Sequence, residues 1–94
     1  MWAKDYVATE SGKEYLGKII SLDKQAQEFF NEKDALGLKS ISEKLKNWEK
    51  HLSFSYSLQA VTDEDFNYLK HAKQRLIYKL EDFTDILGIG GFKQ

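Results

Sequence analysis

The chain has no cysteine and no proline. Without thiols it can form no disulfide and offers no thiolate to a metal, so its 94 residues must hold together by packing alone. A reducing compartment, the cytoplasm, is the expected setting. Without proline nothing forces a helix to break, which favours long uninterrupted helices. Long apolar runs are missing too. No stretch approaches the roughly 20 residues of a membrane span, and the opening Met1-Trp2-Ala3-Lys4-Asp5 lacks the apolar core of a signal peptide. Charge of one sign is also scarce: a net charge of −1 and a pI near 6.1 lack the basic excess of a dedicated nucleic-acid binder.

What is present suits a small folded domain spanning 1–94. Hydrophobic residues make up 41% and charged residues 31%, with the signs interspersed, which is globular rather than disordered composition. Two tryptophans, five tyrosines and six phenylalanines supply either a dense core or a sticky surface. The residues themselves read as all-α, with helices over about 12–32, 35–53 and 63–87. The clearest pattern is the last. Thr62 provides a hydroxyl cap with Asp65 three residues on. Phe66, Leu69, Leu76, Leu80, Phe83 and Leu87 then recur on one helical face, and Gly88 supplies a left-handed stop.

Earlier in the chain, Ser11-Gly12-Lys13-Glu14 has capping-box form. Tyr15, Ile19, Leu22, Ala26 and Phe29 follow at helical spacing, with Leu16, Ile20 and Phe30 widening the stripe. Asp34 or Ser40 can start the second helix, whose Leu38, Ile41, Leu45, Trp48 and Leu52 make a narrow seam. The alternation across 54–59 reads as an extended connection whose rings pack on the bundle. The other readings are an edge that pairs with another chain, or a second helix that runs on through Tyr56. Trp2, Tyr6 and Val7 are expected to lie against the bundle, and Ile89 or Phe92 to tuck back onto the core. An up-down-up three-helix bundle accommodates all of this. The alternative is a helical hairpin that completes a larger bundle by homodimerising.

Two ionisable residues interrupt the apolar stripes, Asp23 in the first helix and Lys73 in the third. In parallel helices both sit about ten positions past their caps, so they are expected to meet, or else to reach separately to the rim. Such a pair would set register and would catalyse nothing.

Chemistry-bearing patterns are sparse. His51 and His71 each follow an asparagine (Asn47, Asn67) by one helical turn, but the His-x3-His or Glu-x-x-His spacing of a metal site is absent. No metal or other cofactor is expected. Gly88-x-Gly90-Gly91 follows a helix, whereas a phosphate cradle precedes one. No serine or threonine has a histidine placed to activate it, and no two carboxylates stand out as acid and base. These patterns do not describe an enzyme. The residues left over are Tyr68, Tyr78 and Ile86, off the core stripe of the third helix, and Glu81, Asp82 and Asp85, which oppose its macrodipole. They suit a surface for another protein. The expected function is therefore a non-catalytic interaction module: an adaptor, assembly chaperone, immunity-type protein or inhibitor that uses a helix face. The alternative is a regulatory nucleic-acid binder using Lys39, Lys46 and Lys50, a basic strip interrupted by Glu43 and Glu49. An enzyme or metal protein using His51 and His71 is the third possibility.

Overall fold

The computed structural model describes residues 9–88. They form three helices, α1 Glu10–Asn31, α2 Ala35–Ser57 and α3 Asp63–Leu87, in an up-down-up bundle in which each helix packs on the other two. The bundle is 40 Å long. A helix the length of α3 measures about 38 Å at ~1.5 Å per residue, so the helices lie side by side along their full extent. The paired contacts close a core within one chain, as the bundle requires and the dimerising hairpin does not. The segments holding Trp2, Tyr6, Val7, Ile89 and Phe92 lie outside the described residues.

Periodicity places the core. Leu38, Ile41, Leu45, Trp48 and Leu52 of α2 are all buried, as are Ile19, Leu22 and Ala26 of α1 and Leu69, Leu76, Leu80 and Phe83 of α3. Phe30 stacks on Phe83 with ring centroids 4.0 Å apart. Ile20 departs from its expected stripe and is 59% exposed, because it sits at the outer edge of the arc beyond Leu16. Phe29 lies directly on the backbone of α2. A Cβ on Gly37 would fall 2.4 Å from its ring, so only glycine fits there.

The ends of the helices explain where the sequence-based boundaries shift. Thr9, not Ser11, caps α1: its hydroxyl accepts the Gly12 amide at 3.2 Å and donates to the Asp65 carboxylate. The cap is chosen by a tertiary partner. Asp34 caps α2 through the Gly37 amide at 2.9 Å, and the Ser40 hydroxyl donates to the Gly37 carbonyl instead of starting a helix. Lys33 and Gln59 both adopt left-handed conformations (φ 57° and 62°) in Schellman closures. The extended connection expected at 54–59 does not form. α2 continues to Ser57, held by contacts on the inner side of that stretch. Ser55 meets the Tyr15 hydroxyl at 2.6 Å, and Tyr56 stacks on Phe66 while its hydroxyl donates to Asp63 at 2.5 Å.

Asp23 and Lys73 do not pair. Asp23 meets Lys79, and Lys73 meets Glu49 of α2. The reason is register. Thr9 and Asp65 stand level across α1 and α3, with a sequence offset of 56. Asp23 and Lys79 carry the same offset further along the same α1/α3 seam. Capping at Ser11 had implied a shorter offset, which is why Lys73 looked level with Asp23.

Asp65 is fully buried against Gly12, where a Cβ would come within 2.7 Å of its carboxyl carbon. Replacing Asp65 with alanine should cost about 1.5–3 kcal/mol in urea unfolding, since the Thr9 amide and hydroxyl lose hydrogen bonds to a charged acceptor. Gln59→Gly should raise stability by about 0.5–1 kcal/mol, because glycine adopts the left-handed conformation without a Cβ clash. The hydrogen bond to Asp63, reinforced by its charge, raises the Tyr56 pKa above 10.0. Stability from this contact is therefore fully present below about pH 10, where the unfolded chain titrates, and is lost as pH rises through the higher folded value. Urea midpoints measured across that range should fall more steeply for the wild type than for Tyr56→Phe.

Candidate functional site

The third helix divides its surface between the core and solvent. Tyr78, Asp82 and Asp85 follow one another at helical spacing on its outward side, with Ile86 one turn beyond Asp82. Tyr78 is 59% and Ile86 70% exposed, and Asp82 and Asp85 are exposed as well. Glu81 turns toward a flank, is half-buried, and lends its backbone carbonyl to the Thr84 hydroxyl at 3.0 Å. Tyr68 stands apart from this group. It is half-buried more than two turns upstream, in a groove of about 220 Å³ between α1 and α3 with Leu16, Ile20, Asp23, Ala72 and Arg75. Of the six residues singled out from the sequence, four thus share the outward strip, one borders it and one belongs to a different surface.

The strip is electrostatically one-sided. Glu81, Asp82 and Asp85 lie in the C-terminal part of α3, where the helix macrodipole is itself negative and no basic residue occupies the last turn. None of the three forms an ion pair among the described residues. Unpaired acids beside two exposed apolar side chains make a surface that attracts cations and also offers hydrocarbon to bury.

The lysines of the alternative reading are also on one side of a helix. Lys39, Lys46 and Lys50 are all exposed on α2, with the exposed Glu43 among them and Glu49 nearby in its pair with Lys73. His51 and His71 sit on different helices, both exposed, and no group of three or more His, Cys, Asp or Glu able to hold a metal occurs among the described residues. No helix among them is long and apolar enough to cross a membrane.

A further groove, of about 310 Å³, runs between α1 and α2. Tyr15, Leu22 and Trp48 form its floor, and Lys18, Ser21, Lys44, Asn47 and His51 its rim. The Trp48 Nε1–H donates to the Tyr15 carbonyl at 3.0 Å, and the Tyr15 hydroxyl donates to the His51 carbonyl at 3.1 Å. The two rings meet edge to face with centroids 6.2 Å apart. Sequence periodicity places Tyr15 and Trp48 on the apolar stripes and gives Lys18 and Lys44 no role. The usable signal was their spacing: Lys18 lies one turn after Tyr15 and Lys44 one turn before Trp48, so antiparallel helices bring both to one seam. Comparisons with protein-family models, with curated proteins and with solved structures found no match for this chain.

Proposed function

We propose that the protein is a non-catalytic interaction module, and that the outward strip of α3 captures a partner protein whose own surface is basic and partly apolar. The observation that carries this reading is the exposure of Tyr78 and Ile86 next to Asp82 and Asp85, acids without ion-pair partners among the described residues. Large apolar groups held in water cost free energy that a partner recovers, and tyrosine is over-represented among residues that dominate binding. A helix buried on its opposite face is a rigid platform, so little ordering entropy is lost on docking. The adaptor, chaperone, immunity and inhibitor roles all use such a platform, and a cysteine-free chain suits the reducing cytoplasm as the place where it would act.

The exposed line of Lys39, Lys46 and Lys50 supports a second reading, regulatory binding to nucleic acid. Glu43 and Glu49 beside it weaken the field that a phosphate backbone needs, which favours the first reading. Binding to a short duplex that weakens steeply with added salt would support the second reading; no binding at low ionic strength would remove it.

The test of the first reading begins with a pull-down and mass spectrometry to identify a partner. The Tyr78→Ala/Ile86→Ala double variant should then weaken capture by about 2 kcal/mol or more. Its circular-dichroism melt should stay within about 2 °C of the wild type, as expected for exposed positions. A large loss of thermal stability would show that these side chains serve the fold instead.

A further inference from the structure

The three helix seams are closed in different ways. Lys79 meets Asp23 between α1 and α3, and Lys73 meets Glu49 between α2 and α3. The α1/α2 seam brings two lysines to one groove instead, Lys18 and Lys44, and no carboxylate lines that groove among the described residues. Neither lysine forms an ion pair among the described residues. Below them the polar atoms of the floor are already engaged, Trp48 with Tyr15 and Tyr15 with His51 and Ser55. The floor therefore offers ring faces and aliphatic carbon rather than unmet hydrogen bonds. At about 310 Å³ the groove sits at the lower end of the roughly 300–1,000 Å³ of ligand pockets. It has room for one bulky side chain rather than a large cofactor.

We propose that this groove is a second docking site, and that its occupant is a short acidic segment of a partner protein. One large apolar side chain would rest on Trp48 and Tyr15 while flanking carboxylates meet Lys18 and Lys44. The charge pattern selects this occupant. Two cations without ion-pair partners among the described residues flank an apolar floor, so a ligand must carry both features to satisfy the site. A nucleic acid fits less well, because its backbone needs a continuous basic track. Here the exposed Glu14 lies one turn before Lys18, and the exposed Glu43 directly precedes Lys44, so the positive patch is confined to the groove. This site is separate from the α3 strip, and either can fail without the other.

The experiment uses the full chain carrying Trp2→Phe, which leaves Trp48 as the only indole. A synthetic peptide of glutamates around one phenylalanine is titrated at low ionic strength while Trp48 emission is followed. The expected result is a saturable change. It should weaken about tenfold in Lys18→Glu/Lys44→Glu, and by a similar factor when the peptide phenylalanine becomes alanine. The charge-matched control Lys39→Glu/Lys46→Glu should alter binding by less than about twofold. Should the reversed pair fail to fold by circular dichroism, Lys18→Gln/Lys44→Gln gives the same reading with a smaller loss. The proposal is overturned by any of four results: no saturable response, equal binding of the alanine peptide, equal loss in the control variant, or an oligonucleotide that binds as tightly as the peptide. Self-association that vanishes in the Lys18/Lys44 variant would assign the groove to a second copy and also overturn it.

Discussion

The carboxylate of Asp65 faces the first turns of two parallel helices at once. Within α3 its own amide donates to the Thr62 cap at 3.1 Å, while its oxygens take the hydroxyl and the amide of Thr9, the cap of α1. Both helix N-termini present partial positive charge and free N–H groups, which makes a fully buried acid tolerable at this point in an otherwise apolar interior. Gly12 completes the arrangement by leaving the carboxylate its space. Hydrophobic burial supplies most of the driving force for packing α1 against α3, but it is non-directional and permits sliding. The Thr9–Asp65 contact is directional, so it selects one register.

That register passes down the bundle. The same offset brings Asp23 to Lys79 roughly four turns later, because whole turns return side chains to the same face. Phe30 then lies over Phe83. The remaining helix is held against this pair by directional contacts of its own. Trp48 donates to the α1 backbone, Glu49 meets Lys73, and Phe29 occupies the gap left by Gly37. No polar side-chain atom is buried without a partner among the described residues. Interior polar groups of this kind restrict the alternatives more than they add net stability.

A bundle fixed in this way presents surfaces that do not need to reorganise. Among the described residues, acids gather without ion-pair partners on the outward side of α3, and lysines gather without ion-pair partners above Trp48 on the far seam. The separation gives two small faces of opposite sign on one rigid body. For the functional reading proposed here, a partner or partners would be recognised by charge and by one or two apolar anchors rather than by an induced fold.

Much of this architecture was legible in the amino-acid order. The spacing of Leu38, Ile41, Leu45, Trp48 and Leu52, and of Leu69, Leu76, Leu80 and Phe83, determined which sides of α2 and α3 are buried. Asp34, Thr62 and Gly88 marked helix ends, because capping depends on neighbours within a single turn. The candidate strip was also visible, since Tyr78, Asp82, Asp85 and Ile86 are defined by being off the core stripe. What the sequence could not decide were quantities that depend on a second helix. Thr9 outranked Ser11 as a cap because Asp65 was waiting for it. Residues 54–57 stayed helical because Tyr15 met the Ser55 side chain and Phe66 the Tyr56 ring. Asp23 chose Lys79, Tyr68 joined the α1 seam, and Lys18 came to share a groove with Lys44. A helical pattern specifies a direction around one axis, whereas register, pairing and grooves require the position of one axis relative to another, and only tertiary packing supplies that.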